Sequence, residues 1–167
     1  MKNNQAFIDG QNLNRGTISA KKPWKIDLCK FRVFLSEKYG VKKAYYFVGT
    51  YYKKFDSMYR FLEKAGYIVI FREHAQTLRG KKKGNVDSDI VFYIMDAVYR
   101  RKVSGKIVLV SGDGDYKKMV TRLVADRKFR VIIFPNSHWS SLYKSIEDKY
   151  KVRLYAAEIR KYLELKK

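Results

Sequence analysis

Ile107-Val108-Leu109-Val110-Ser111-Gly112-Asp113-Gly114-Asp115-Tyr116 is the stretch that decides the fold. Four consecutive apolar residues, without the polar alternation of a half-exposed strand, suit a strand whose sheet is covered on both faces. Ser-Gly-Asp-Gly-Asp breaks the run with turn-forming residues. From Lys117 to Arg127, Met119, Val120, Leu123 and Val124 then recur at helical spacing. The unit reads as strand, acidic turn, helix.

The same alternation extends in both directions. Downstream, Val131 to Phe134 is another continuous apolar strand, stopped by Pro135-Asn136. Upstream, Ala6-Phe7-Ile8 runs into Asp9-Gly10, Ala44 to Val48 is short and β-rich, and Tyr67 to Phe71 is apolar throughout, as for a strand covered on both faces. Helical spacing fills the gaps. Asp27 is a candidate N-cap for Leu28, Phe31, Phe34 and Leu35, with Gly40 as the stop. Phe55 to Ala65 presents Met58, Phe61 and Leu62 on one face, and Asp87 to Arg101 is apolar nearly all round between Ile90 and Tyr99. The tail, Trp139 to Lys167, reads as a short helix, a small strand near 152–155 and a terminal helix. Strands alternating with helices predict an α/β domain with a mainly parallel sheet of about five strands. Residues 1–167 are expected to form one such domain, with 137–167 as an extension to it.

Composition narrows the function. Lys and Arg number 37 against 16 acids, a formal charge of +21, while apolar types make up 46% of the 167 residues. So large an excess of one sign points to a polyanionic partner, nucleic acid ahead of an anionic membrane. One cysteine, Cys29, excludes an internal disulfide and a cysteine zinc site, and is expected to be a buried small hydrophobe. No apolar run approaches the roughly 20 residues of a membrane span. Met1 to Gln5 lacks a signal-peptide apolar region, so the expected compartment is cytoplasmic. No Gly-rich loop ending in Lys-Ser/Thr is present, which argues against a nucleotide hydrolase.

In a chain this poor in acid, the aspartates fall at telling places. Asp9 closes the first strand, Asp113 and Asp115 close the fourth, and Asp87 opens the helix before it. Ligands of parallel α/β sheets gather beyond the carboxyl ends of strands, so these acids meet if strands one and four are neighbours. Taken singly, each has a plainer role as a turn residue or helix N-cap. Together they form a cup of hard oxygens suited to Mg²⁺ or Mn²⁺, and so to in-line displacement at phosphorus. Asn12 is placed to hold a water or phosphate oxygen, and Ser111 to orient a neighbouring carboxylate. Asp89 stands about 200° round the helix from Asp87 and ranks below it. Asp96, on the face of Asp89, is either a solvent-side residue or a supporting one.

Ile8-Asp9-Gly10-Gln11-Asn12, Lys83-Gly84-Asn85-Val86-Asp87 and Ser111-Gly112-Asp113-Gly114-Asp115-Tyr116 resemble, in order and spacing over about residues 5–135, the NYN domain. The resemblance is to its LabA-like (DUF88) branch within the PIN-like nuclease superfamily. It implies a three-layer α/β/α sandwich, an Mg²⁺- or Mn²⁺-dependent acidic site and endoribonuclease activity. Position by position, it implies that Asp9, Asp87, Asp113 and Asp115 are catalytic and bind metal, with Asn12 assisting. Tyr116 stands where the family usually has Phe, an exchange read as harmless.

Cations complete the expectation. Arg79, Lys81, Lys82 and Lys83 lead into Asp87, and Lys117 and Lys118 follow Asp115, so both groups are candidates for holding phosphates. Tyr45-Tyr46 and Tyr51-Tyr52 are candidates for stacking unpaired bases, although one of each pair is expected in the core. His74 and His138 read as ordinary polar residues, with His138-Trp139, after strand five, a secondary candidate for touching the ligand. Single-stranded or structured RNA is the expected partner, with DNA an alternative. The competing readings are a nucleic-acid-binding module with a structural or degenerate metal site, and a phosphatase acting on small phosphoesters. The +21 charge disfavours the latter, whose substrates need no such surface.

Overall fold

In the computed structural model, the structure describes residues 3–18, 22–72 and 86–166. The segment carrying His74, Arg79, Lys81, Lys82 and Lys83 lies outside the described residues. The chain runs β1 (Asn4–Asp9), α1 (Gly10–Ile18), α2 (Leu28–Tyr39), β2 (Val41–Val48), α3 (Asp56–Lys64), β3 (Ile68–Phe71), α4 (Asp87–Tyr99), β4 (Ile107–Val110), α5 (Lys117–Ala125), β5 (Phe129–Phe134), β6 (Lys151–Arg153) and α6 (Ala157–Leu163). Short 3₁₀ turns at Lys53–Phe55, Gly114–Tyr116, Ser141–Ser145 and Asp148–Tyr150 link these elements.

The strands form one sheet in the order β3-β2-β1-β4-β5-β6, every neighbouring pair parallel. Among the described residues six strands pair, against about five expected, and the sixth, β6, is the small tail strand expected near 152–155. The chain lays strands outward from β1 to β3, then returns through α4 to place β4 on β1's other side. Strand order therefore reverses between β1 and β4, which is where parallel sheets open a crevice for ligands.

Side-chain alternation divides the core into two layers. Ala6, Ile8, Val108, Val110, Val131 and Ile133 pack with Leu13, Phe31 and Leu35 on one face. Phe7, Leu109, Ile132 and Phe134 pack with Ile90, Ile94, Val120 and Leu123 on the other. The result is the three-layer α/β/α sandwich that the resemblance implies. The tail belongs to this packing, since Leu154 and Leu163 are fully buried in the first layer.

Local signals place α2 correctly, whereas α1, earlier in the same crossover, is a helix where a turn after Asp9-Gly10 is expected. Asp27 accepts a hydrogen bond from the Lys30 amide (3.0 Å) and caps α2, and Gly40 ends it with φ +63°, the left-handed turn that glycine tolerates best. Three more expectations are corrected. Tyr67 to Phe71 is covered only in part: β3 is the outer strand, Val69 packs on the first layer and Ile70 on the second, but Ile68 is 41% exposed. On α3 the inward residues are Tyr59 and Leu62, whereas Met58 and Phe61 face solvent. Cys29 is exposed, one position short of the buried stripe of Phe31, Phe34 and Leu35.

Gly10, at the junction of β1 and α1, is a point of close approach. A Cβ there would stand 2.4 Å from Tyr46 Cε1 and 2.6 Å from the Phe47 carbonyl oxygen, and backbone cannot step aside cheaply. Gly10→Ala is therefore expected to destabilise the protein by about 1–3 kcal/mol through overpacking. Denaturant unfolding with an unchanged m-value measures it. Wild-type stability in the variant would mean that β1 and β2 separate readily at this corner.

Candidate metal centre

Asp9 ends β1 and is 4% exposed. Its Oδ1 accepts a hydrogen bond from the Asn12 amide at 2.9 Å, as an N-cap carboxylate does. Across the sheet, β4 ends at Val110 and the chain turns through Ser111 and Gly112 to Asp113. Asp113 Oδ1 accepts from the Asp115 amide at 3.0 Å. Asp87 is the first residue of α4 and is 8% exposed. The helix- and turn-capping roles foreseen for Asp9 and Asp113 are thus real, but they use one oxygen of each carboxylate.

Neighbouring elements hold the acidic turn in place. The Gly112 amide donates to Asn12 Oδ1 (2.9 Å), the Asp113 amide to Ser111 Oγ (3.1 Å), and the Ser140 amide to the Gly112 carbonyl (2.9 Å). The Tyr143 hydroxyl donates to the Asp113 carbonyl. Asn12, through its Oδ1, and Ser111 therefore fix backbone at the turn. Trp139 stacks on Phe134 with ring centroids 4.7 Å apart, so it supports the turn from behind.

One carboxylate oxygen each from Asp87, Asp113 and Asp115 lie within 4.8 Å of one another. Like charges at that spacing resist ionisation. Accordingly the Asp115 carboxyl is held above the usual aspartate range by the charges of Asp113 and then Asp87. A cation among the three oxygens reverses this repulsion. Hard carboxylate oxygens from three residues, joined by no nitrogen or sulfur donor among the described residues, suit Mg²⁺, Mn²⁺ or Ca²⁺. The cluster is compatible with a metal site.

Asp9 stands just behind this group of three. The Tyr116 hydroxyl, fully buried, lies 2.6 Å from Asp87 Oδ1 and 3.1 Å from Asp9 Oδ2 and so bridges the two acids. Burial, and then the charge of Asp87, push the Asp9 carboxyl upward, against the lowering effect of the Asn12 amide. The Tyr116 phenol is raised as well, chiefly by burial. The tyrosine that the sequence marked as a harmless stand-in for Phe is a structural part of the acidic site.

The remaining candidates are dispersed. Asp89 pairs with Arg72 at 3.9 Å, and Asp96 with Arg100 (2.6 Å) and Lys102 (3.9 Å), which makes Asp96 a solvent-side residue. Lys117 reaches along α5 to Thr121 Oγ1 (2.8 Å), and Lys118 is exposed. Tyr116 and Tyr143 were missed. A phenol in an apolar stripe signals only packing, and nothing near Tyr143 in sequence announces contact with Asp113.

Comparison with known proteins bears on the fold and the family. A solved structure of a protein of unknown function from Vibrio parahaemolyticus superposes with a TM-score of 0.72 over 98% of this chain and 96% of that one, at 19% identity. That likeness concerns the fold. No curated protein matches the sequence. The family model for the NYN domain matches residues 5–154, past the 5–135 expected, so it takes in β6 and the segment that supports the acidic turn. By that match over most of its length, the chain belongs to the NYN domain family.

Proposed function

We propose that this protein is a metal-dependent endoribonuclease of the LabA-like (DUF88) branch, hydrolysing RNA phosphodiester bonds at the acidic cluster. The observation that carries the reading is the convergence of Asp87, Asp113 and Asp115 at the strand-order reversal of a chain with a formal charge of +21. NYN membership supports a PIN-like nuclease. Asp87, Asp113 and Asp115 would hold Mg²⁺ or Mn²⁺, with Asp9 supporting Asp87 through Tyr116. A divalent ion there supplies charge for the phosphate oxygens and acidifies a water for attack at phosphorus.

The residues of the chain do the rest. Asn12, Ser111 and Tyr143 hold the acidic turn in one conformation, so little reorganisation is needed when substrate arrives. Lys117 and Lys118, together with Arg79, Lys81, Lys82 and Lys83, are assigned to flanking phosphates, giving affinity without sequence reading. Asp89 serves as a neighbouring support through Arg72. Residues 1–167 act as one unit in this reading, 137–167 walling the site through Ser140 and Tyr143. RNA is the substrate proposed ahead of DNA, in the cytoplasm. Among the described residues no helix is long and apolar enough to cross a membrane.

The test is cleavage of a labelled circular RNA, which has no ends and so reports internal cuts only. Linear product is expected with Mn²⁺ or Mg²⁺ and its disappearance with a chelator. Tight, salt-sensitive binding without metal-dependent cleavage would replace this reading with the non-catalytic nucleic-acid-binding module.

A further inference from the structure

Tyr51-Tyr52-Lys53-Lys54-Phe55 joins β2 to α3 and puts three aromatic rings at the surface within five residues. Tyr51 is the anchored one. Its ring packs on Tyr59 and edge-on to Phe71, both at 5.4 Å, and its hydroxyl reaches Asp56 Oδ1 at 3.2 Å. Tyr52 (54% exposed) and Phe55 (43% exposed) instead meet each other at 89°, centroids 6.3 Å apart, and form an open corner. Lys54 Nζ sits in it, 4.9 Å from the Phe55 centroid and 5.8 Å from that of Tyr52. Single exposed rings are ordinary, but two that adjoin and are rimmed by Lys54 form a patch of the kind that marks a contact surface. Core packing does not account for this pair, because α3 turns Tyr59 and Leu62 inward instead.

The corner lies on the same sheet edge as the acids. Asp9 is in register with Phe47, so the loop leaves β2 just beyond the level at which β1 delivers Asp9. β2 and β4 are two strand spacings apart, about 10 Å. Physical links span that gap. The Arg72 amide donates to the Gly49 carbonyl at 3.2 Å, and the Arg72 side chain pairs with Asp89 in the first turn of α4, where Asp87 also sits. Asp56, next in sequence to Phe55, is engaged by Arg60 at 2.9 Å and by Tyr51, which leaves Lys53 and Lys54 as charges of this loop unopposed among the described residues.

We propose that Tyr52, Lys54 and Phe55 form a subsite for an unpaired nucleotide of single-stranded nucleic acid, the base stacking on Tyr52 or Phe55 and Lys54 meeting its phosphate. Stacking is indifferent to base identity, and an adjacent ammonium suits the backbone that follows. A duplex keeps its bases to itself, so the subsite selects unpaired strands. Its occupant rests on the nuclease reading above, whereas its position does not.

The experiment measures binding in a chelator, where nothing is cleaved, by fluorescence anisotropy of a short unstructured RNA and of the same RNA as a duplex. Tyr52→Ala is expected to weaken single-strand binding about tenfold, leave duplex binding alone and leave the salt dependence unchanged. Tyr52→Phe keeps the ring and is expected to bind as wild type does. Lys54→Ala lowers the slope of log K against log salt by about 0.7, the contribution of one phosphate contact on a single strand. Wild-type affinity in Tyr52→Ala, equal losses on duplex and single strand, or no RNA binding by the wild type would each overturn the subsite. Failure of metal-dependent cleavage leaves these outcomes untouched, so the two readings fail separately.

Discussion

Asp113→Asn is expected to lower the rate of RNA hydrolysis by more than about 100-fold while the protein stays folded. The lower bound follows from what residues one step removed from a metal do. Partners that merely orient a ligand cost 10–100-fold when lost, and a ligand itself must cost more. Asparagine keeps an oxygen at the Oδ1 position, so the hydrogen bond from the Asp115 amide survives and the turn keeps its shape. The Tyr143 and Ser111 contacts of residue 113 involve its backbone and are untouched. What disappears is one negative charge among three crowded oxygens.

That loss has a second, independent readout. Without a cation, removing the Asp113 charge relieves the repulsion that raises Asp115, so the variant in chelator is expected to melt at or above the wild-type temperature. With Mn²⁺ the order inverts. An ion that binds only the folded state stabilises it by about 2.7 kcal/mol at a hundred times its Kd. Wild-type protein should show such a rise in Tm and the variant little of it. Cleavage by Asp113→Asn at the wild-type rate would assign the activity to another site. Equal Mn²⁺ shifts in the two proteins would remove the ion from this cluster.

What was legible in the sequence, and what was not, follows from which forces are local. β1, β4 and β5 announce themselves because central parallel strands are apolar on both faces. The same signature overstates the cover of Tyr67–Phe71, since an apolar run reads alike in the middle of a sheet and at its outer strand, where Val69 and Ile70 pack on the two layers but Ile68 stays exposed. On α3, Met58/Phe61 and Tyr59/Leu62 are two stripes one residue apart, and only docking against the sheet selects the second. Cys29 fell on the wrong side of α2 for the same reason. Placing acids at strand ends and helix starts was sufficient to find Asp9, Asp87, Asp113 and Asp115, because turn chemistry is local. Their division into a cluster of three, with Asp9 behind a phenol, depends on β1 lying beside β4 and on Tyr116 reaching back to both acids across more than a hundred residues of chain in the case of Asp9. No local pattern encodes that reach.

That phenol leads to a pair of substitutions with opposite expected signs in metal-free protein. A tyrosine hydroxyl has one proton to donate. The shorter contact, 2.6 Å to Asp87 Oδ1, takes it, and the 3.1 Å contact to Asp9 Oδ2 is a hydrogen bond only when Asp9 carries a proton. Burial raises the Asp9 carboxyl above its ordinary value of 3.8, so the folded protein holds that proton more tightly than the unfolded chain does. The stability this confers is complete below the unfolded value and is lost as pH rises through the raised folded one. As pH rises above 3.8 in chelator, the buried Asp9 therefore becomes a growing cost to the wild type. Asp9→Asn removes the cost, keeping an oxygen for the Asn12 amide and offering N–H to the Tyr116 oxygen. Its Tm should exceed that of wild type at pH 7, and the difference should vanish toward pH 3.8. Tyr116→Phe preserves the buried ring but withdraws the donor from Asp87 and the acceptor from Asp9, an expected loss of about 1–3 kcal/mol, or roughly 2–4 °C in Tm for each kcal/mol. Thermal melts of the three proteins across pH check both signs. A lower Tm for Asp9→Asn at neutral pH would show that the ionised carboxylate is the form the fold prefers, and that the hydroxyl between Asp9 and Asp87 is bonded to both charges rather than shared through a proton on Asp9.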